Sequence, residues 1–207
     1  MPDKADIQTE MDLFTTLESG ETVSQFALAK RLSVSVGLIN ALLKRAARKG
    51  LAKAKAVPPQ RWAYYLTAKG FMEKSRLVAA YLDRSLVFFR EARAGYAELF
   101  DHLQASGVRR IVLVGQGELA EIAILAKQDA DVEIIGVLAF QSNNERLHGL
   151  RVLCHLDEVD NSTVLVITDA RAPQAAYDEA RVQYGTFRIE APAFLRISAS
   201  PLPKVQS

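Results

Sequence analysis

The sequence predicts an α/β protein that consists of two modules and one long connecting helix. Residues 6–49 contain three short segments of helical periodicity, and two short strand patterns follow them on either side of a proline turn. After residue 107, apolar runs of strand length alternate with helical segments, which is typical of a small parallel sheet covered by helices. We therefore expect domain segments at 1–67, 68–106 and 107–207.

Charge is distributed unevenly along the chain, although the net charge is only +2, from 26 basic and 24 acidic residues. Between Thr22 and Met72 there is no Asp or Glu. A surface of one sign over about fifty residues is what a polyanion such as nucleic acid binds, whereas a solvated basic face is the alternative interpretation. The basic residues of this stretch are Lys30, Arg31, Lys44, Arg45, Arg48, Lys49, Lys53, Lys55, Arg61 and Lys69.

The composition also predicts the compartment. A single cysteine, Cys154, cannot form a disulfide within the chain, which fits a reducing environment. The polar N-terminal residues do not resemble a signal peptide. No apolar run reaches the roughly 18 residues that a membrane span needs. The expectation is a soluble cytoplasmic protein without a membrane partner.

Three helices are expected before the strands. The first covers residues 6–19, the second covers 25–32 with Ser24 as its N-cap, and the third covers 36–49 with Ser35 as its N-cap. The side chains expected in the core are Ile7, Met11, Phe14 and Leu17, then Phe26, Leu28 or Ala29, and Leu32, then Leu38, Ile39, Leu42, Leu43 and Ala46.

The order of helix, helix, short turn, helix and hairpin is that of a winged helix-turn-helix, whose helix after the turn enters the major groove of duplex DNA. Asn40 can pair with adenine, Lys44 can reach guanine or phosphate, and Val36 can contact a thymine methyl group. The hairpin would grip phosphate or the minor groove, and Trp62 on it is interpreted as a packing residue. The predicted DNA-binding residues are Ser35, Val36, Asn40, Lys44, Arg45, Lys53, Lys55 and Arg61.

Residues 24–57, SQFALAKRLSVSVGLINALLKRAARKGLAKAKAV, resemble the MarR-type winged helix-turn-helix regulators, and so does the following segment 62–70. The resemblance is strongest to the branch associated with exopolysaccharide gene clusters, and it covers about residues 6–105. Ser24-Gln25, Asn40 and Tyr64-Tyr65-Leu66-Thr67 match that branch, whereas Ala68 stands where the family usually has proline. The resemblance implies a homodimer that binds quasi-palindromic double-stranded DNA.

A heptad pattern runs through the long helix at 68–105. Its apolar or small residues alternate in spacing between four and three, which is the pattern of a seam between two helices. We expect this seam to join two copies of the chain through residues 68–106, and the alternative is a helix that packs on its own domain. The seam residues are Val78, Leu82, Ser85, Phe89, Ala92, Tyr96, Leu99 and Leu103.

The C-terminal module is predicted to alternate strands and helices. The expected elements are a strand at 110–114, a helix at 118–128, a strand at 132–139, a polar loop at 141–149, a strand at 163–168, a helix at 173–184, and a fourth strand at either 187–189 or 194–197.

The turn after the first of these strands has the pattern G-x-G-x-x-A, in which glycines let the backbone approach a phosphate. It predicts a nucleotide-binding turn at Gly115, Gln116, Gly117, Glu118 and Leu119. The charge of Glu118, and the absence of an acid where the second strand ends, count against NAD(H). The cofactor is therefore left open, between a nucleotide or nucleotide-sugar effector, NAD(H) and a purely structural module.

The module resembles small Rossmann-like domains on sugar-modifying acyltransferases and dehydratases, through residues 115–120 and the segment 148–153. The resemblance implies the fold, and a sensor of a nucleotide or nucleotide-sugar is one function expected of it beside the alternatives above. His102, His148 and His155 lack metal-ligand spacing, and Cys154 is expected to be buried. A regulator rather than an enzyme is therefore predicted, and the alternative is a nucleotide-sugar or NAD-dependent enzyme with an accessory helical domain.

Overall fold

The computed structural model describes residues 4–19, 24–57, 61–127, 130–139, 146–157 and 159–198. Within these ranges the side chains of residues 4–6, 56, 57 and 61 are not described. The chain divides into two compact units, residues 1–86 and residues 87–207. Each unit is described by itself.

The first unit contains three helices and a hairpin, as expected. The helices are α1 (Lys4–Glu18), α2 (Gln25–Arg31) and α3 (Val36–Arg48), the hairpin strands are β1 (Ala52–Val57) and β2 (Arg61–Leu66), and α4 (Ala68–Ala105) begins after them. Both predicted N-caps are confirmed, because Ser24 Oγ accepts a hydrogen bond from the Ala27 amide at 3.1 Å and Ser35 Oγ accepts one from the Leu38 amide at 3.2 Å.

The core of the first unit joins all of these elements. Two of the expected core residues lie elsewhere, because Phe26 is 71% exposed and Leu38 is 37% exposed. Phe26 lies about 200° around α2 from buried Leu28, and Leu38 lies at the edge of the buried stripe of α3, about 100° from Ile39. The buried residues are Ile7, Leu13, Phe14, Leu17, Leu28, Ala29, Ile39, Leu42, Leu43, Ala46, Leu51, Ala52 and Leu77.

The second unit contains a six-stranded sheet between helices. Its described strand order is β5-β6-β4-β3-β7-β8, and every pair is parallel except β5 with β6. The elements are β3 (Arg110–Val114), α5 (Glu118–Ala126), β4 (Glu133–Leu138), β5 (Arg146–Leu147), β6 (Leu150–Leu153), β7 (Val164–Ile167), α6 (Pro173–Gln183), β8 (Arg188–Glu190) and a 3₁₀ helix (Ala193–Leu195).

Three details differ from the expectations for this unit. The end of the predicted polar loop forms strand β5, and β6 follows it without having been predicted. Residues 141–145 of that loop lie outside the described residues, and residues 148 and 149 form the turn between β5 and β6. The fourth predicted strand is β8, close to the first alternative, whereas the second alternative begins in a 3₁₀ helix.

Both faces of the central strands β3, β4 and β7 are buried, so these strands contain continuous apolar runs. In β3, Ile111 and Leu113 pack in the cluster with α5, whereas Val112 and Val114 pack in the cluster that contains Ala180 of α6. The alternation of side chains along a strand therefore supplies two cores, one on each face.

The C-terminal part of α4 belongs to the first of these clusters. Ala92, Tyr96, Phe100 and Leu103 are completely buried there, and the Tyr96 hydroxyl donates a hydrogen bond to the Ile167 carbonyl at 2.9 Å. The prediction that the whole heptad seam joins two chains is therefore wrong for this part. A helix over the sheet must bury one face, and the seam residues form that face.

One finding concerns membranes. Within the described residues, no single helix is both long and apolar enough to cross a bilayer. Helices α2 and α3 together have the length and composition of a membrane span, but they are bent by 111° at the turn between them. The apolar side chains of that pair include Leu28, Ile39 and Leu43, which lie in the core of the first unit.

Candidate nucleic-acid interface

The helices α2 and α3 meet in a sharp turn. The break between Arg31 and Val36 is four residues long, and the direction of the chain changes by 111° across it. Ser33 has a φ of +54°, and the Val34 amide donates to the Ala29 carbonyl at 3.0 Å, which closes the turn. Two helices at about 90–120° with a turn of three or four residues are a helix-turn-helix.

The exposed face of α3 carries most of the residues predicted to read DNA. Val36 and Lys44 are exposed and Asn40 is half-buried, whereas Ile39 and Leu43 between them lie in the core. An amide and an ammonium group on one helix face provide hydrogen-bond donors of the types that can read base edges. The face can therefore make polar and apolar contacts at the same time.

Ser35 lies at the start of this face, and its hydroxyl is occupied by the N-cap hydrogen bond to the Leu38 amide. Its structural role follows from that bond. At the C-terminal end of α3, Lys69 Nζ donates a hydrogen bond to the Lys49 carbonyl at 3.0 Å. Cations at a helix C-terminus complement its dipole.

The hairpin forms the wing. In its antiparallel register Lys53 lies opposite Tyr65 and Lys55 lies opposite Ala63, and both lysines are exposed. Arg61 pairs with Val57 in the register, and its side chain lies outside the described residues. The wing therefore presents a cationic face that can contact phosphate.

Hydrogen bonds fix the wing to the helices. Gln25 Nε2 donates to the Tyr64 hydroxyl at 2.9 Å, which ties β2 to the start of α2. Thr67 Oγ1 donates to the Gly50 carbonyl at 2.7 Å and accepts from the Gly70 amide at 3.0 Å, so it joins the end of α3 to the start of α4. Helix α3 and the wing are therefore held in one geometry.

The glycine turn of the second unit has a structural explanation. Gly115 has a φ of +104°, and a Cβ atom there would lie 2.9 Å from the Asp169 amide nitrogen. Thr168 Oγ1 donates to the Gly115 carbonyl at 2.6 Å. The turn is thus packed against the end of β7, and that packing alone requires glycine at this position.

A cavity of about 310 Å³ opens beside this turn, at the carboxyl ends of β3, β4 and β7. Open α/β sheets bind ligands at such places, where neighbouring connections leave a strand on opposite sides. Asp169 and Glu179 make the cavity acidic, and the Asp169 Oδ1 atom already accepts from the Arg171 and Ala172 amides. The lining residues are Val114, Gly115, Gln116, Leu138, Ala139, Asp169, Ala172, Ala175, Ala176 and Glu179.

Comparison with known proteins finds similarity in solved structures only. No protein-family model matches the chain, and no curated protein sequence matches it.

The structural similarities are partial. The MepR–DNA complex of Staphylococcus aureus is 17% identical, with a TM-score of 0.35 over 42% of this chain and 62% of that chain. ZitR of Lactococcus lactis, a zinc-responsive MarR family member, is 19% identical, with a TM-score of 0.32 over 42% of this chain and 60% of that one. The Mycobacterium tuberculosis MarR family protein Rv2887, in complex with p-aminosalicylic acid, is 23% identical, with a TM-score of 0.31 over 38% and 63%. The chain thus spans about three fifths of the length of these proteins.

Arg45 occupies a position that the sequence did not predict. Its guanidinium Nη2 lies 2.8 Å from Glu10 Oε2, so the side chain joins α3 to α1. The ion pair neutralises a charge that was assigned to DNA. The pattern of α3 could not reveal it, because the partner lies 35 residues away in the chain.

Trp62 is the residue that the sequence interpretation missed. It was expected to pack, but its side chain is 54% exposed. The residue opposite it in the register is Ala56, and Ala54 is the diagonal neighbour. The alternation of alanines in β1 was the available signal, since small cross-strand neighbours cannot cover an indole.

The structure places the predicted nucleotide-binding residues in different surroundings. Gly115 and Gln116 line the cavity, whereas Gly117 and Glu118 do not belong to its described lining. Leu119 is 1% exposed and packs in the core beneath α5, so its side chain faces away from any ligand at the turn. An apolar side chain in the first turn of a helix is buried by the sheet it covers.

Cys154 was expected to be buried, and it is exposed. It follows β6 directly, where the chain leaves the sheet, and with His155 and Arg151 it lines a second cavity of about 410 Å³. Within the described ranges, no group of three or more His, Cys, Asp or Glu side chains is placed to hold a metal ion.

Proposed function

We propose that the chain is a transcriptional regulator that binds double-stranded DNA as a homodimer. The observation that carries the proposal is the exposed polar face of α3, held beside a cationic hairpin in a stretch that contains no acidic residue. Such a surface is complementary in charge to the DNA backbone and in shape to its major groove.

In the proposed complex, α3 lies in the major groove. Asn40 pairs with an adenine, Lys44 contacts a guanine or a phosphate, and Val36 contacts a thymine methyl group. Lys53 and Lys55 contact phosphates that flank the groove. Arg45 is held in its ion pair with Glu10, so it is not assigned a contact to DNA in this complex.

Two copies are proposed to associate through the middle of α4. Leu82, Leu86 and Phe89 are exposed there, and they recur at intervals of four and three residues along one helix face. The proposed seam is thus shorter than the pattern of residues 68–106, because the later positions are buried within the second unit. The resemblance to the exopolysaccharide-associated branch makes polysaccharide-related genes the proposed targets.

The salt dependence of DNA binding tests this function. Each phosphate contact contributes about −0.9 to the slope of log K against log salt concentration. The double variant Lys44→Ala, Lys55→Ala should bind a random-sequence duplex more weakly, with a slope shallower by about 1.8.

The control is Arg151→Ala, which removes an exposed cation from the second unit. It should leave both affinity and slope unchanged. An unchanged slope in the double variant, together with measurable binding by the unaltered chain, would place the interface elsewhere.

A second role is proposed for the cavity beside Gly115, as a sensor of a small-molecule effector. The observation that favours it is the position of the cavity at the carboxyl ends of parallel strands. A nucleotide or nucleotide-sugar is the proposed class, and Asp169 would accept hydrogen bonds from its sugar hydroxyl groups. The same acids oppose a phosphate placed directly against them.

Titration calorimetry with UDP-glucose, with adenosine and with NADH tests the sensor. Heat that disappears in Ala175→Phe, a variant that fills the cavity from α6, would support it. The absence of heat with all three compounds would remove this role and leave the DNA-binding proposal untouched.

A further inference from the structure

Trp62 lies near the end of the wing, and its indole side chain is largely exposed to solvent. Its side chain is 54% exposed, although a large aromatic side chain gains more from burial than any other type. The two nearest cross-strand residues are alanines, Ala56 directly opposite and Ala54 on the diagonal. The geometry of the hairpin thus leaves an indole face available for a partner.

The rest of the strand holds this indole in a defined position. Ala63, the next residue, is fully buried, and the Tyr64 hydroxyl accepts a hydrogen bond from Gln25 Nε2 at 2.9 Å. The hydrogen bond joins β2 to α2, and the burial of Ala63 fixes the strand beside Trp62. A contact made by Trp62 therefore costs little ordering of the backbone.

The charge around Trp62 selects the kind of partner. Lys53 and Lys55 are exposed on the opposite face of the same hairpin, and the chain has no acidic residue from Thr22 to Met72. A second copy of the chain that covered Trp62 by a symmetric contact would set two positively charged, acid-free hairpins beside each other. A partner that is anionic and also offers flat apolar faces fits better, and nucleic acid has both properties.

We propose that Trp62 is a DNA-contacting wedge, whose indole inserts against the bases of the minor groove that the wing approaches. This inference rests on the proposed DNA-binding function. Apolar side chains that enter the minor groove partly unstack a base step and kink the duplex. The lysines on the other face of the hairpin hold the flanking phosphates while the indole is inserted.

Because Trp62 is the only tryptophan of the chain, its fluorescence reports this contact directly. The probe is a duplex of about 30 base pairs, long enough for two half-sites one helical turn apart, selected by the full chain from a random-sequence pool. Binding is followed by the anisotropy of a dye on the duplex, and indole emission is recorded in the same titration. Quenching with the same midpoint as the anisotropy change is expected.

Variants complete the test. Trp62→Ala should weaken binding about tenfold, and Trp62→Phe should lie between it and the unaltered chain, because base–aromatic stacking scales with ring area. The double variant Trp62→Phe, Val182→Trp carries its only indole on an exposed position of α6 in the second unit. Its emission should not change when the duplex binds.

The possible outcomes distinguish the role proposed for Trp62 from the DNA-binding function on which it rests. If the duplex binds but Trp62 emission and the affinity of Trp62→Ala stay unchanged, the wedge is refuted and DNA binding stands. If emission shifts with protein concentration alone, a second copy covers the indole and the wedge is refuted. If no duplex is selected or bound by the full chain, both the proposed function and the wedge fail.

Discussion

Lys44 and Arg45 are neighbours in α3 with different surroundings, because the Arg45 guanidinium lies 2.8 Å from Glu10 whereas Lys44 is exposed. The side chain of Glu10 is 17% exposed and that of Arg45 is 42% exposed, so the ion pair is partly shielded from water. In the helix that is proposed to enter DNA, Arg45 is thus joined to α1 by an ion pair, whereas Lys44 remains available for contact with DNA.

This difference predicts opposite effects for two substitutions. Glu10→Gln should lower the free energy of unfolding by roughly 0.5–1 kcal/mol, since a partly exposed pair contributes little, and should strengthen DNA binding at low salt by releasing Arg45. Lys44→Gln should leave stability unchanged and weaken DNA binding. Urea denaturation and DNA anisotropy measure the two quantities, and weaker DNA binding by Glu10→Gln would contradict the assignment.

Gly115 should tolerate no side chain. Gly115→Ala places a Cβ atom 2.9 Å from the Asp169 amide nitrogen at a φ of +104°, and we expect a loss of about 1–3 kcal/mol in the free energy of unfolding. Gly107→Ala is the matched control, because its φ is +82° but nothing lies within 4 Å of the added atom. Equal losses in the two variants would show that backbone strain alone is responsible.

The association of two chains is expected to depend on one face of α4. The double variant Leu82→Glu, Leu86→Glu should be monomeric in sedimentation, and its circular dichroism should stay unchanged because both side chains are more than half exposed. Val87→Glu is the control, since Val87 lies about 140° around the helix from Leu82. Dissociation by Val87→Glu, or a dimer that survives the double substitution, would rule out this seam.

Tyr96 should make the protein sensitive to alkali. Burial raises the pKa of its hydroxyl above the ordinary value of 10.0, so the folded state keeps a proton that the unfolded state loses. The contribution of this group is complete below pH 10 and falls as the pH rises toward the raised pKa, by at most about 1.4 kcal/mol per pH unit.

The comparison with Tyr96→Phe isolates this effect from the other groups that titrate at high pH. The variant should be less stable at neutral pH by about 1 kcal/mol, because the Ile167 carbonyl loses its donor. Its Tm should then fall less steeply than that of the unaltered chain between about pH 9 and 11. Parallel slopes would contradict the assignment.

Several elements were predictable because their causes are local. The hydroxyls of Ser24 and Ser35 cap the helices that follow them, and β3 ends where the apolar run that predicted it ends. Periodicity also predicted α4 from residue 68 to about residue 105, although it assigned to the core Phe26, which is exposed while Leu28 and Ala29 are buried.

The candidate site was less predictable, since its chemistry depends on distant residues. Asn40 and Lys44 could be placed on the exposed face of α3 from spacing alone. The ion pair of Arg45, the exposure of Trp62 and the approach of Asp169 to Gly115 each involve a partner from another element. No pattern within one element contains that information.

From the sequence alone came the order of helices and strands, the helix caps and the acid-free basic stretch, because propensity, periodicity and charge act over a few neighbouring residues. Only the tertiary structure decided that Tyr96 and Leu103 are buried in the core of the second unit while Leu82 and Leu86 stay exposed. One heptad pattern fits a helix on a sheet as well as a helix on a second helix, and the choice depends on which apolar surface the rest of the chain brings against it.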